Sequence, residues 1–438
     1  MYGSYLGVDG LVLFLTFLLL LTLLLVGIPI AVSIGVTTAA IMFLVGGLDM
    51  LVMLPSRMYA ISGSFTLLAV PFFILAANLM NAGATTDAIY KVANLLVGRT
   101  RGGLGQVNVV GSMIFSGMSG SAVADAAGLG RIEIREMIKR GYKPGFAAAI
   151  TASSAPIGAI IPPSVPFVVF GSMAGVSVSA LFLAGILPGL LMGAVLMVSV
   201  AYFARVQNLP VSENRPPFRE CVSTIFYATP AIIMPVLVVG SIITGIATPT
   251  EAATIASIYA LIVGIYFYRG MQWRDLPKVF WESARQTAQL TFIVAAANAF
   301  GWVLIQQQVP RELVSWALAL SDTPWLILLI INLVLLFFGM FVEGLALIII
   351  AGPMLLPMTQ AIGMDPVHFG VMFVLNILIG LVTPPVGIIL FVVAEISKVS
   401  VWTVVRENWL YLIALMLTLI IVTYVPAVSL FLPRLFGF

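Results

Sequence analysis

Charge is the scarcest ingredient of this 438-residue chain. Asp, Glu, Lys and Arg together make up 8% of it, against roughly 25% in an ordinary soluble domain. Hydrophobic residues reach 61% and the mean hydropathy is +1.15. A soluble protein of this size cannot hide that much apolar surface from water, whereas a bilayer is itself an apolar solvent. Cys221 is the only cysteine, so an intrachain disulfide and a thiolate metal cluster are both excluded. His368 is the only histidine, which excludes a His-based zinc site and a Ser-His-Asp triad on any other histidine. It follows Asp365 and Pro366, the pattern of an exposed residue at a helix start. No Gly-x-x-x-x-Gly-Lys-Ser/Thr loop occurs, so nothing points to ATP-driven chemistry. A dense Lys/Arg run with interleaved aromatics is also missing. The net charge of +3 therefore reads as basic cytoplasmic loops, not nucleic-acid binding. No basic region precedes the first apolar run, so residues 1–26 read as a retained first span and not a cleaved signal peptide.

What is present is a series of apolar stretches long enough to cross about 30 Å of hydrocarbon. They cover 10–26, 28–46, 64–82, 145–172, 178–204, 222–247, 249–268, 287–306, 366–394 and 409–431. Two further regions, 103–130 and 323–357, split into short halves at 117–121 and 339–344, the pattern of re-entrant hairpins. Arg99 and Arg101 precede the first, and Arg131, Arg135, Lys139, Arg140 and Lys143 follow it, so both its ends read as cytoplasmic. The second has Arg311, Glu312 and Asp322 before it and Asp365 after it, with no basic excess. Arg205, Arg215 and Arg219, then Arg269, Arg274, Lys278 and Arg285, then Lys398 and Arg406 mark further cytoplasmic loops. Ten spans and two hairpins threaded through these points put both termini outside.

The halves repeat. Pro29 matches Pro249 (249 − 29 = 220), Asn78 matches Asn298 (298 − 78 = 220), and Pro162 matches Pro384 (384 − 162 = 222). A constant offset with opposite charge sidedness predicts an all-α membrane protein with an inverted-topology repeat. Residues 1–220 form the first repeat: scaffold spans 1–60 and 173–220, arm and first hairpin 84–131, broken span 145–172. Residues 221–438 form the second: scaffold spans 221–270, arm and second hairpin 307–357, broken span 366–396, last span 409–431. Paired Gly/Pro-interrupted segments in corresponding places point to a transport site near the membrane centre.

The candidate chemistry lies at those interruptions. Pro162-Pro163 and Pro384-Pro385 sit inside otherwise helical spans. Each proline removes a backbone donor, and the freed carbonyls cannot face lipid. They can face an ion or a water-filled site; a kink satisfied by neighbouring helices is the plainer alternative. Ser116, Ser119 and Ser121 offer hydroxyls, and Gly117 and Gly120 allow a tight turn; small-residue helix packing is the alternative there. Asp125 and Glu343 are the acids at the two breaks, and intramembrane acids are usually functional. Asp125 can order the turn, balance a cation or carry a proton. Asn78 and Asn298, matched across the repeat, are candidate substrate or gating residues together with Ser121, Asp125 and the four prolines. Glu251, after Thr248 and Pro249, reads as a helix-capping acid. Stretches 84–101 and 271–286 read as amphipathic surface arms, and Trp273, Trp281, Trp402 and Trp409 as interfacial anchors.

At these motifs the chain resembles the large membrane subunit, DctM family, of tripartite ATP-independent periplasmic (TRAP) transporters. The resemblance spans essentially the whole chain. It rests on Gly-Ile-Pro-Ile (27–30), Pro-Phe-Phe-Ile-Leu-Ala-Ala-Asn (71–78), Ser-Gly-Ser-Ala-Val-Ala-Asp (119–125) and Ile-Ile-Pro-Pro-Ser (160–164). Thr-Pro-Thr-Glu-Ala-Ala (248–253) and Val-Thr-Pro-Pro-Val-Gly (382–387) add the second half. It implies a sodium-driven elevator that moves a small organic acid, a carboxylate or sugar acid, across a bacterial inner membrane. It also implies a small four-span membrane subunit, expected here as a separate chain, and a soluble periplasmic binding protein, with no cofactor beyond coupling sodium ions. Carried over residue by residue, one sodium site involves Ser116, Ser119, Gly158 and the backbone near Ile161. The other involves Gly339, the backbone near Val342, Gly380 and Thr383. The second hairpin departs from the first, with Phe341 and Val342 where the first has serines. Alternatives are a standalone divalent-anion/sodium symporter, a channel, which needs a continuous polar lining, and a membrane-embedded enzyme, which needs a cluster of acids, bases or ligands.

Overall fold

The computed structural model describes residues 10–206, 209, 217–320 and 323–438. Arg215 and Asp322, used above to orient loops, lie outside the described residues, as do residues 1–9. Every regular element among the described residues is helical.

The chain begins with α1 (Gly10–Leu25) and α2 (Ile30–Leu51), whose last turn follows a kink at Gly47, φ 63°. Next come α3 (Leu54–Ala60), α4 (Ala69–Ala82) and α5 (Thr85–Val97), the last two bent by 74°. The first hairpin region is α6 (Gly103–Ser119), α7 (Ala122–Ala127) and α8 (Leu129–Lys139). The first broken helix is α9 (Pro144–Ser154), α10 (Ile157–Ile160) and α11 (Val165–Ala174), bent by 46° at the Pro-Pro pair. Then follow α12 (Val178–Val206), α13 (Phe218–Ile243), α14 (Pro249–Ile262), α15 (Leu276–Gln306) and α16 (Val309–Leu320). The second hairpin region is α17 (Pro324–Gly339) and α18 (Gly344–Ala361). The second broken helix is α19 (Pro366–Gly380) and α20 (Ile388–Ser397), and the chain closes with α21 (Val401–Tyr424) and α22 (Pro426–Leu435). Pro162-Pro163 and Pro384-Pro385 are both cis.

Seven described helices are long and apolar enough to cross a membrane, nine spans if each bent pair counts as one. One of the seven, α18, is the return half of the second hairpin region. Element order recurs along the chain at a near-constant offset: 249 − 30 = 219, 324 − 103 = 221, 366 − 144 = 222, 388 − 165 = 223 and 401 − 178 = 223. Local sequence explains the limits. Pro144, Pro249, Pro324, Pro366 and Pro426 open helices at positions where no backbone donor is required. Thr248 and Glu251 close the expected reciprocal cap on α14.

Three expectations need correction. Residues 271–286 do not form a separate surface arm: after a short turn at Trp273–Asp275 they run unbroken into α15, because no proline follows Pro277 until Pro310. The last span is not 409–431; the helix starts at Val401 and stops at Tyr424, since Val425 precedes Pro426 and is pushed out of helical geometry. His368 does sit in the first turn of α19, but it is 3% exposed and bonded to Ser429 Oγ (2.7 Å) and the Thr423 carbonyl (3.2 Å).

The core lies at the broken helices. Residues 145–154 of α9 and 368–380 of α19 are buried throughout. The periphery exposes large apolar side chains such as Phe218, Ile246 and Phe226, which need an apolar solvent. Trp273, Trp281, Trp402 and Trp409 are also exposed.

Candidate functional site

Each hairpin turn meets a helix break. In the first half, α6 ends at Ser119, Gly120 turns the chain with φ 58°, and extended Ser121 caps α7 by accepting from the Ala124 amide (3.4 Å). The Gly120 carbonyl accepts from the Val165 amide at 3.2 Å, on the far side of Pro162-Pro163. A Cβ on Gly120 would lie 2.9 Å from the Pro163 carbonyl, so the turn rests directly on the break. In the second half, the Gly387 amide donates to the Met340 carbonyl, also at 3.2 Å, across Pro384-Pro385. The partners correspond by the repeat offset: 387 − 165 = 222 and 340 − 120 = 220.

These contacts gather the expected cation-site residues. Ser116 and Ser119 are buried in the last turn of α6. Ser116 donates to the Met113 carbonyl (2.6 Å) and Ser119 to the Ser121 carbonyl (3.5 Å), which leaves lone pairs on both hydroxyls. Gly158 faces Asp125: a Cβ there would stand 2.9 Å from Asp125 Oδ2. Ile161 is extended, and with Pro162 and Pro163 it forms the bend beyond α10. Opposite, Gly339 and Gly380 pack backbone to backbone, Val342 lies in the turn after α17, and Thr383 donates to the Ile379 carbonyl (2.7 Å) immediately before Pro384 and Pro385. Glu343 caps α18 through the Ala346 amide (3.0 Å). The α7 and α8 helices pack on α20, α11 packs on α18, and α10 packs on α19, so both hairpins and both broken helices form one packed unit.

Asn78 and Asn298 stand elsewhere. Asn78 on α4 donates to Ser283 Oγ (2.9 Å) and Gln286 Oε1 (3.1 Å) on α15, and Asn298 on α15 donates to the Arg57 carbonyl (2.8 Å). They brace those helices and reach neither hairpin turn.

Sequence reading missed a buried polar network beneath the first turn. Asn108 donates to Glu133 Oε2 (2.6 Å) and Thr151 Oγ1 (2.7 Å), and Ser154 Oγ donates to Asn108 Oδ1 (2.6 Å). Ser112 Oγ joins Ser154 Oγ at 3.2 Å. Asp125 Oδ2 and Glu133 Oε1 have no hydrogen-bond partner among the described residues, and both acids are 1% exposed. The second half carries a simpler counterpart, in which Asn376 donates to Asn332 Oδ1 (2.7 Å). Polar side chains inside apolar helices were the available signal. No cluster of three or more His, Cys, Asp or Glu able to hold a metal exists among the described residues. Beside the carboxylates of Asp125 and Glu343, the oxygens gathered at the breaks are hydroxyls and carbonyls, donors suited to a hard monovalent cation.

A chain of membrane-length helices, interrupted at two matched places where hairpin turns meet freed backbone, is a polytopic membrane protein of transporter type. The family profile described as "Tripartite ATP-independent periplasmic transporter, DctM component" matches residues 17–428. The chain is 42% identical over 376 residues to the sialic acid TRAP transporter large permease protein SiaM of Vibrio cholerae, covering 85% of this chain and 87% of that one. It is 40% identical over 381 residues to the C4-dicarboxylate TRAP transporter large permease protein DctM of Pseudomonas aeruginosa, covering 87% and 89%. Its fold is similar to that of the Alcanivorax borkumensis YdaH transporter, with TM-score 0.66 and 13% identity over 93% of this chain and 97% of that one. The chain belongs to the DctM family, a component of tripartite ATP-independent periplasmic transporters. It is a multi-pass transporter permease subunit and not an enzyme.

Proposed function

We propose that this chain is the large transport subunit of a sodium-coupled secondary transporter that imports a small organic acid. The carrying observation is the matched pair of turn-on-break contacts, Val165 to Gly120 and Gly387 to Met340. Each contact brings hydroxyl or carbonyl oxygens to a place where the helix has lost its own pairing. Ser116, Ser119, Gly158 and the Ile161 backbone hold one sodium ion. Gly339, the Val342 backbone, Gly380 and Thr383 hold the other. Asp125, Ser121 and the four prolines gate the space between them. The substrate class is a carboxylate or sugar acid, supported by the sialic acid and C4-dicarboxylate named for the two relatives.

The packed hairpin-and-break unit, about 84–172 with 307–396, moves as an elevator against a scaffold of 1–60 and 178–270. Packing of α7 and α8 on α20, α11 on α18 and α10 on α19 supports a single moving body. The three-part nature of the family supports two partners, a small four-span membrane subunit and a periplasmic binding protein that delivers the acid. The membrane is the bacterial inner membrane, with the basic loops inside and both termini in the periplasm. No resident cofactor is needed beyond the sodium ions.

The test is co-reconstitution with the small subunit in liposomes, with the loaded binding protein outside. Uptake should require an inward sodium gradient and the binding protein together. Passive flux without either would mark a channel, and uptake without the binding protein would mark a standalone symporter.

A further inference from the structure

Asn408 lies on α21 and is 1% exposed. Its amide joins the two broken helices. Ser153 Oγ on α9 donates to Asn408 Oδ1, and Asn408 Nδ2 donates to the Val382 carbonyl at 3.1 Å. The orientation of the amide is fixed by chemistry, since a carbonyl only accepts and the NH2 group must face it. Ser153 belongs to the first broken helix. Val382 belongs to the second break, one residue before Thr383 and two before Pro384.

The other repeat has no such bridge. The start of α21 follows that of α12 by 401 − 178 = 223, so Asn408 corresponds to 408 − 223 = 185, which is Gly185. Val382 corresponds to Ile160 by the offset of 222 that relates Pro384 to Pro162. A Cβ on Gly185 would lie 2.4 Å from the Ile160 carbonyl oxygen. The backbone of α12 therefore packs straight onto that carbonyl, and no side chain caps it from there. Among the described residues no backbone or side-chain donor stands on the Ile160 carbonyl. A buried carbonyl left in this way seeks another partner.

We propose that Asn408 is a positioning residue that makes the two coupling sites unequal. It holds the Val382 carbonyl away from the second site and fixes the Val382–Thr383 peptide plane. Thr383 Oγ1 is the side-chain oxygen of that site; it already spends its proton on the Ile379 carbonyl and presents its lone pairs. At the first site the Ile160 carbonyl has no such donor and is held only by its packing against the α12 backbone. Without the hydrogen bond from Asn408, the Val382–Thr383 peptide unit keeps only the bond from the Thr383 amide to the Gly380 carbonyl (3.1 Å), and it can tilt and carry Thr383 out of position. This inference rests on the sodium reading above.

The two halves of the bridge can be cut separately. Asn408→Asp keeps the oxygen that accepts from Ser153 and, when ionised, loses the donor to Val382. Asn408→Leu loses both and adds no charge, so it serves where the aspartate is not tolerated. Ser153→Ala removes only the other half. The readouts are sodium-titrated uptake in liposomes and, without turnover, the sodium-dependent rise in thermal midpoint of the purified membrane complex. The Asn408 variants should raise half-saturating sodium by at least about fivefold, the lower end for one lost buried hydrogen bond. Ser153→Ala should leave it within about twofold, the change expected when the peptide plane before Thr383 stays fixed. An equal shift in Ser153→Ala would overturn the assignment to the Val382 bond. Unchanged half-saturating sodium in the Asn408 variants would overturn the positioning role. Thr383→Ala, run alongside, then separates the cases: if it shifts, only the role of Asn408 falls, and if it does not, sodium binding at the second break falls with it.

Discussion

Gly339 and Gly380 meet backbone to backbone: a Cβ built on Gly380 would lie 2.7 Å from the carbonyl carbon of Gly339. The contact joins the end of the hairpin helix α17 to the last turn of the broken helix α19. Nothing but hydrogen fits there, and the obstacle is main chain, which cannot swing aside as a side chain can. The pair therefore sets how closely the second turn approaches the second break.

Gly380→Ala should separate the two elements. Overpacking of this kind costs about 1–3 kcal/mol, so binding at the break should weaken roughly five- to 150-fold. Gly301→Ala on α15 is the control, since a Cβ there meets nothing within 4 Å. It should leave uptake unchanged and gain slightly in helix propensity. Equal uptake by both variants in liposomes would show that the close approach is not needed for transport.

Asn108 should matter for stability more than for coupling. Its amide serves Glu133, Thr151 and Ser154 at once. Asn108→Ala leaves these groups buried without their partner, at about 1–3 kcal/mol for each group left unsatisfied. The thermal midpoint of the purified complex should fall by several degrees, while half-saturating sodium stays within about twofold. A shifted sodium dependence with an unchanged midpoint would move this network into the cation site.

The network also shows where sequence reading stopped. Pro162-Pro163, Pro384-Pro385 and the glycines near 120 and 339 were legible because proline and glycine act locally, on the residues beside them. The hairpins and broken helices followed from that. Glu133 stands among Arg131, Arg135 and Lys139, whose charges draw the eye to a basic loop; in the structure it is buried and accepts from Asn108. Asn408 and Ser153 are far apart in the chain, and nothing in the periodicity of either helix names the other. His368 was placed on the surface because its helix start was visible while its cover, α22, was not: that helix exists only because Pro426 breaks the last span. The continuous α15 was missed for the opposite reason, since amphipathic composition alone does not end a helix.

Loop orientation is open to a chemical test. The Lys/Arg distribution predicts that residues 131–143 and 269–285 lie on the cytoplasmic side. With Cys221 removed, a cysteine at position 139 should react with an impermeant maleimide only after the cells are opened. Lys139 is exposed and, among the described residues, paired only with Glu136 on its own helix, so the substitution should be tolerated. Labelling in sealed cells would invert the whole arrangement, including the periplasmic placement of both termini.

The last prediction concerns coupling. Ser119 and Thr383 are each about to lose helical pairing, one at the end of α6 and one before Pro384. Both are buried, at 3% and 4% exposure, so neither hydroxyl is ordinarily served by bulk water. Each keeps lone pairs free after donating its proton within the chain. Removing one such oxygen from a buried site costs on the order of 1–3 kcal/mol, or roughly five- to 150-fold in ion affinity. Ser119→Ala and Thr383→Ala should therefore raise half-saturating sodium, while insertion and small-subunit binding persist. Thr383→Ser keeps the oxygen and should retain more function than Thr383→Ala. If the two residues serve different ions, as proposed, the double variant should lose more than either single. The measurement is uptake against a sodium titration, with the loaded binding protein supplied. If both alanine variants keep the parental sodium dependence, these hydroxyls are packing elements and the ions bind elsewhere.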